Sequence, residues 1–307
     1  MTKVFIDGSA GTTGLRIYER LNSRKDISLI TLPEEVRKDI SARKDALNNC
    51  DIAFLCLPDD ASIEAVSLVE NKNVAIIDTS TAHRTSLEWT YGFAELSGQR
   101  EKIKNSKRVA NPGCHASGFI ALVEPLIKNN ILSSNVNLSA FSLTGYSGGG
   151  KKMIAEYEGE RDFLLNAPRT YGITQNHKHL KEMVKVCNLN SAPVFCPIVA
   201  PYYSGMEVTI PLFKKDIQGS VQDIKQIYKE YYKVGLVKFS EESEKGFLSA
   251  NIMANRDDML VGVFGNEERF TLVARFDNLG KGASGAAIQN MNILMGINED
   301  TGLNVKE

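Results

Sequence analysis

The chain has 307 residues, enough for two domains, with 43% hydrophobic and 24% charged residues, so a packed core is expected and disorder is not. Lys+Arg total 36 against Asp+Glu 37, a formal net charge of −1, which gives no electrostatic reason to expect nucleic acid or an anionic membrane surface as a partner. No apolar run is long enough to span a bilayer, no signal peptide precedes the first strand-like segment, and the expectation is a cytoplasmic protein. The five cysteines, Cys50, Cys56, Cys114, Cys187 and Cys196, are an odd, scattered set without zinc-ligand spacing, so reduced thiols and no metal are expected.

Residues 4–6 form a short apolar strand that runs into Gly8-Ser9-Ala10-Gly11-Thr12-Thr13-Gly14, followed by Leu15, Ile17, Tyr18 and Leu21 at helical spacing. With a second short strand at 28–32 this is a βαβ unit, and Thr12 or Thr13 is a candidate cap for its helix. Glycines at such a junction let the backbone approach a pyrophosphate, to which the helix start offers N–H groups. The spacing is G-x-x-G-x-x-G rather than the commoner G-x-G-x-x-G, so its position between strand and helix carries the reading. After the second strand, Glu34 favours NAD, whereas Arg37 or Lys38 suits the 2′-phosphate of NADP; both readings stay open.

Residues 51–57 and 74–77 are nearly unbroken apolar runs, as strands covered on both faces require. Pro58 ends the first, with Asp59 or Asp60 as candidate cap for the helix that follows. The second is closed by residues 78–84, where Arg84 is either an anion clamp or a surface arginine. Next comes Asn111-Pro112-Gly113-Cys114, a turn followed by apolar residues at helical spacing, Phe119, Ile120, Val123, Leu126 and Ile127. Cys114 thus stands where a loop becomes a helix. The first helical amides have no internal partner, carry partial positive charge, favour a thiolate and can hold a developing oxyanion.

Beyond 135 the pattern alternates. Strands are expected at 136–144, 194–199, 206–210 and 270–276, with one intervening helix at 223–232, which suggests an α+β second domain with a mixed or antiparallel sheet. Ser147, Gly148, Gly149, Gly150, Lys151 and Lys152 form a candidate phosphate cradle or a flexible surface loop. In 176–183, His177 and His179 are candidate proton carriers, with Glu182 three residues after His179 and on the same face if the segment is helical. The glycines in 280–285 permit a close backbone approach, the cofactor being one candidate, before a last helix over 286–295.

These motifs, in this order and over nearly the whole chain, resemble the N-acetyl-γ-glutamyl-phosphate reductase family in its shorter, second type. Its wider superfamily includes aspartate-semialdehyde dehydrogenase. The resemblance implies a semialdehyde-dehydrogenase-like fold: an α/β Rossmann-type dinucleotide-binding domain over 1–114 and 279–307, and an α+β catalytic and dimerisation domain over 115–278. It implies NADPH/NADP as cofactor, held by Gly8, Ser9, Gly11, Thr12, Thr13, Gly14, Asn278, Lys281 and Gly282. It implies reduction of a small acyl phosphate to a semialdehyde and phosphate through a thioester on Cys114, with Arg84, Ser147, Gly148 and Gly149 at the substrate. The acid/base lies in the His177/His179 pair, His179 favoured because Glu182 follows it. A homodimer or homotetramer is expected. The chain departs from the longer members at His177-Lys-His179-Leu-Lys-Glu182, where they read His-x-His-Thr-Pro-Glu. The alternatives are another acyl-phosphate reductase, such as aspartate-semialdehyde dehydrogenase or a reductase of an N-acetyl-aminoadipate derivative, or a non-catalytic NADP-sensing protein.

Overall fold

The structure, a computed structural model, describes residues 1–306. The chain opens with β1 (Thr2–Asp7), α1 (Thr12–Leu21), β2 (Ile27–Ile30), α2 (Ile40–Asn49), β3 (Ile52–Leu55), α3 (Asp59–Ser67) and β4 (Ala75–Asp78), then β5 (Thr90–Tyr91), α4 (Gln99–Lys104) and β6 (Arg108–Ala110). The six strands form one wholly parallel sheet in the order β2-β1-β3-β4-β6-β5. Alternation along each strand splits the core in two. Val4, Ile6, Phe54 and Ile77 join Ile17 and Leu21 of α1 on one face; Phe5, Ala53, Leu55 and Ile76 join Leu47 of α2 and Ala65 of α3 on the other. Because both faces are covered, β3 and β4 read as continuous apolar runs.

Local starts differ from expectation in two places. Gly11, not Thr12 or Thr13, is the N-cap of α1, and both threonines are already helical. Asp59 and Asp60 lie inside the first turn of α3, after Pro58; Asp59 instead receives the Thr81 backbone N–H at 2.8 Å and the Thr81 hydroxyl. Leu15, expected on the inner face of α1, is exposed. α2 escaped notice because it carries few apolar residues; it begins at Asp39, whose Oδ1 accepts the Ala42 N–H at 2.8 Å.

The chain then forms α5 (Cys114–Lys128), β7 (Ser139–Gly145), α6 (Gly150–Glu158), β8 (Arg169–Thr170), α7 (Leu180–Cys187), β9 (Val194–Ala200), β10 (Met206–Phe213), α8 (Val221–Tyr231), β11 (Val237–Phe239), β12 (Met259–Gly265), β13 (Arg269–Phe276) and α9 (Gly285–Met295). Two compact units result. One comprises Met1–Ala94, Gly98–Pro112 and Ala283–Leu303; the other holds Glu95–Ser97, Gly113–Gly282 and the chain from Asn304. α9 therefore belongs to the first unit, where Ala287, Ile288 and Met291 complete the core on the α1 side. The cuts at 112/113 and 282/283 place Cys114, Asn278, Lys281 and Gly282 together in the second unit.

The second unit is built on a seven-stranded mixed sheet, β11-β12-β13-β10-β7-β9-β8, antiparallel except for β7/β9 and β11/β12. Three helices, α6, α7 and α8, interrupt its strands where one was expected. α5 lies on the inner face. A Cβ at Gly118 would come within 2.5 Å of Val208 and 2.8 Å of Phe276, so only glycine lets the helix approach β10 and β13 this closely. Pro125 lacks the N–H that would bond the Ala121 carbonyl, and the Tyr232 hydroxyl donates to that carbonyl instead at 2.6 Å. Tyr228 donates likewise to the Leu122 carbonyl at 2.5 Å.

A buried ion pair closes this unit. Lys281 Nζ meets both carboxylate oxygens of Glu95 at 2.8 Å, with side chains 1% and 0% exposed, and Glu95 also accepts the Leu236 N–H at 2.9 Å. Removing one member of such a pair strands the other charge in a poorly solvating interior. Lys281→Met is expected to destabilise the protein by about 3–5 kcal/mol, read from urea unfolding midpoints. A loss below about 1 kcal/mol would show that the pair is not structural.

Candidate active site

The first unit presents the glycine turn at the end of β1, beside the point where the sheet order reverses between β1 and β3. The three glycines do different work. Gly8 has φ +87°, and a Cβ there would lie 2.3 Å from the Cys56 carbonyl oxygen; a Cβ at Gly14 would lie 2.3 Å from the Gly8 carbonyl oxygen. Both glycines pack the turn against its own scaffold. Gly11 is the open one, its nearest neighbour at 3.4 Å, so a ligand can approach the backbone there.

Beside the turn is a cavity of about 270 Å³ lined by Asp7, Gly8, Ser9, Arg37, Lys38 and Arg43, among others. Arg43 is buried and donates to Asp7 at 3.0 Å and to Glu64 at 2.7 Å, while its Nη2 has no hydrogen-bond partner. Burial pushes the Asp7 carboxyl up from its ordinary value against the pull of Arg43. Glu34 is paired with Arg37 at 2.5 Å and is not among the residues that line this cavity. The site is thus cationic, with an unspent donor, and it suits an anionic group next to the glycine turn.

Arg84 is not an exposed surface arginine. It is buried, and its guanidinium donates to the Asn111 carbonyl at 2.9 Å and the Thr79 carbonyl at 2.8 Å. Asp78 gathers the same loop, accepting from Ser62, from Ser80 and, at 2.6 Å, sharing a hydrogen bond with His83 Nδ1.

In the second unit, Cys114 opens α5 as expected, after Gly113 with φ −80° and ψ 147°, and Gly113 supplies no side-chain cap. Helix geometry leaves the first amides of α5 without intrahelical acceptors. Glu182, buried on α7, accepts the Gly113 N–H at 2.9 Å, so this carboxylate fixes the residue just before the thiol. His179 is the N-cap of α7, which gives Glu182 its i,i+3 relation to that histidine.

Three of the four histidines converge here. His115, the residue after Cys114, lies 5.5 Å from His177 and 5.6 Å from His179, ring centre to ring centre, and the latter two are 4.8 Å apart. His177 Nδ1 accepts the His179 backbone N–H at 3.2 Å, so the proton of a neutral His177 ring sits on Nε2. Burial, then the charge of Lys178, lowers the basicity of His177. Its Nδ1 lone pair is committed to the His179 backbone N–H. His115 is buried and bonded on both nitrogens, Nδ1 to the Ser142 hydroxyl at 2.7 Å and Nε2 to the Tyr171 hydroxyl at 2.6 Å. Sequence reasoning missed His115, Ser142, Tyr171 and Arg43; only His115 carried a signal, its place inside the Cys114 motif.

The remaining candidates pair with one another. The stretch 146–152 is no flexible loop: Tyr146–Gly149 forms a short helical turn that leads into α6. Ser147 is buried and its hydroxyl accepts from Asn278 Nδ2 at 3.0 Å, while Asn278 Oδ1 accepts the Gly205 N–H at 3.0 Å. Gly280 and Gly282 give close approach to the protein itself: a Cβ would lie 1.9 Å from the Arg256 carbonyl oxygen at the first, and 3.0 Å from Cys114 Cβ at the second.

Two family models match the chain: the semialdehyde dehydrogenase NAD binding domain over residues 3–106 and the semialdehyde dehydrogenase dimerisation domain over residues 114–278. Among curated proteins, N-acetyl-gamma-glutamyl-phosphate reductase 2 of Nostoc sp. is 45% identical over 98% of this chain and 99% of its own length. The N-acetyl-gamma-glutamyl-phosphate reductase of Brucella ovis is 45% identical over 96% and 99%. Among solved structures, aspartate semialdehyde dehydrogenase II of Vibrio cholerae shares the fold with TM-score 0.71 at 16% identity, covering 96% of this chain and 98% of that one. Aspartate semialdehyde dehydrogenase of Candida albicans, solved with NADP, does so with TM-score 0.69 at 16% identity, covering 96% and 98%.

The histidine cluster has a pH signature. Burial, then the charge of His177, holds His115 down at about 3 against an ordinary 6.5. Between these values the unfolded chain binds a proton that the folded chain refuses, so stability is full above pH 6.5 and falls as pH drops toward 3. The expected slope is about 1 kcal/mol per pH unit. Urea midpoints at pH 7 and 5 for the wild type and His115→Gln isolate it; equal pH dependence in both proteins would place the proton elsewhere.

Proposed function

The chain belongs to the semialdehyde dehydrogenase family and, within it, to the N-acetyl-γ-glutamyl-phosphate reductases, and from that premise we propose that it reduces N-acetyl-γ-glutamyl phosphate to N-acetylglutamate 5-semialdehyde and phosphate with NADPH, a step of arginine biosynthesis. The observation that carries this reading is Cys114 at the start of α5 with His177 and His179 gathered at its neighbour His115.

The Cys114 thiolate attacks the acyl carbon; the carbon–sulfur bond forms, the carbon–oxygen bond to phosphate breaks, and phosphate departs. The amides at the head of α5 favour negative charge on the sulfur and on the tetrahedral oxygen. Glu182 keeps Gly113, and with it the first turn, in place. Ser147, Gly148 and Gly149, with the amino end of α6, are the proposed seat of the phosphate. His179 exchanges the proton when the sulfur–carbon bond is made and broken. A thioester accepts hydride far better than a carboxylate, which divides one hard step into two easier ones.

NADPH, when bound, supplies the hydride. Gly8, Ser9, Gly11, Thr12, Thr13 and Gly14 are the proposed cradle of its pyrophosphate, with Gly11 the point of closest approach. Arg37, Lys38 and the open Nη2 of Arg43 favour a 2′-phosphate and hence NADP over NAD. Asn278, Lys281 and Gly282, which the resemblance puts at the cofactor, also make contacts within the second unit, with Ser147, Glu95 and Cys114.

A homodimer or homotetramer assembled through the second unit is part of this reading. The outer face of its sheet leaves Phe141, Val194 and Phe213 exposed by 42%, 56% and 54%, large apolar side chains that a second copy would cover. A cytoplasmic setting fits five cysteines that stand as thiols.

Cys114→Ser is expected to fold and to lose turnover by orders of magnitude, since an alcohol is a poor nucleophile near neutral pH. Mass spectrometry of quenched wild-type turnovers should find the acyl group on Cys114; an adduct elsewhere, or none, removes the covalent route. His179→Asn should lower kcat more than His177→Asn, and the reverse ranking would exchange their roles. Replacing Arg37 and Lys38 together by Ala should weaken NADPH binding about 10-fold, ~1.4 kcal/mol, in a fluorescence titration, with NADH binding unchanged. Equal weakening of both cofactors would mean that the pair does not read the 2′-phosphate.

A further inference from the structure

Arg43 is held by two carboxylates from two different elements. Its Nε donates at 3.0 Å to Asp7 Oδ2, at the end of β1, and its Nη1 donates at 2.7 Å to Glu64 Oε2, on α3. A guanidinium is planar, and its five N–H groups point in fixed directions. Anchors on two of its nitrogens therefore fix the plane, and the third nitrogen points where Asp7 and Glu64 dictate. That nitrogen, Nη2, is buried and has no hydrogen-bond partner among the described residues. Buried donors are met nearly everywhere in folded proteins, so one left unmet in a residue of a cavity wall asks for an acceptor from outside.

The cavity narrows the choice of acceptor. Its walls come from the ends of three neighbouring strands of the parallel sheet: Gly8 and Ser9 after β1, Leu32 and Lys38 after β2, Leu57 and Ala61 after β3. In such a sheet this is the adenosine end of a bound dinucleotide. Two carboxylates beside one guanidinium leave no net positive charge to draw an anion in. What they supply is direction, with both N–H groups of Nη2 open. A ribose hydroxyl would bring one acceptor oxygen and a proton that arginine has no lone pair to receive. A phosphate brings several acceptor oxygens, which the two prongs of one nitrogen fit better.

We propose that Glu64 is a positioning residue for the choice of cofactor: with Asp7 it orients Arg43 so that Nη2 donates to the 2′-phosphate of NADPH. The assignment rests on the NADPH reading above. Glu64 is not among the residues that line the cavity, and its side chain is 47% exposed, so it acts through Arg43 and can be replaced without opening the core. Asp7 is the poorer residue to change, because it is buried and adjoins the glycine turn.

Fluorescence titration with NADPH and with NADH tests it. Glu64→Ala should weaken NADPH binding about 10-fold, the usual cost of a hydrogen bond to a charged group, and leave NADH within about two-fold. Glu64→Gln should restore NADPH binding to within about two-fold of the wild type, because a carboxamide oxygen still accepts the Nη1 proton. Arg43→Lys keeps the charge and loses the fork, so adding Glu64→Ala to it should cause no further loss. Unchanged NADPH binding in Glu64→Ala, equal weakening of both cofactors, or additive losses with Arg43→Lys would each overturn the proposal. Tighter NADPH binding in Glu64→Gln would do so too, since Glu64 would then act as a repelling charge. A wild type that binds NADH as tightly as NADPH removes the NADPH reading itself, whereas a wild-type preference that survives Glu64→Ala removes only the role of Glu64.

Discussion

Everything at the second site depends on how the chain enters α5. A turn must deliver Cys114 at the first helical position, and the helix behind it must be apolar nearly all round, because it is buried along its length. The hydrogen bond from the Gly113 N–H to Glu182 ties that entry to α7, so the residue before Cys114 and the helix that begins after His179 are joined by one contact between two helix starts. Both are ends where backbone donors lack internal partners, and a buried carboxylate is a fitting acceptor for one of them.

The histidine cluster shows why proximity alone does not define a role. Three imidazoles within 6 Å would repel if all were charged, yet the ring between two hydroxyls has every reason to remain neutral. One of its neighbours, His177, spends its Nδ1 lone pair on the His179 backbone amide.

What could be read from sequence was what local spacing encodes. The strand–glycine–helix start, the buried strands 52–55 and 75–78 and the Cys114 helix follow from periodicity and turn chemistry. α2 was hidden because a core-facing position is an arginine, buried only thanks to Asp7 and Glu64. β12 was hidden because Gly262 interrupts its alternation; a Cβ there would sit 2.4 Å from the Ser240 carbonyl oxygen, so the residue is demanded by a neighbour far along the chain. Of the residues gathered around the start of α5, the sequence singled out Cys114, His177, His179 and Glu182 but not Tyr171, whose partner His115 lies 56 residues away. Lys281 looked like a ligand-facing cation beside glycines, and nothing local announces that Glu95, 186 residues distant, takes it.

The tyrosines of the α8 region have a wider bearing. Pro125 breaks the hydrogen-bond ladder of α5, and the freed carbonyl is claimed by Tyr232 from outside the helix, with Tyr228 holding the next carbonyl in sequence. α5 is therefore latched mid-span as well as at its head, and its axial slide over the sheet is arrested by phenols about two turns from the thiol. Sequence drift in α8 is accordingly a route by which reactivity can be tuned without touching any group that meets substrate.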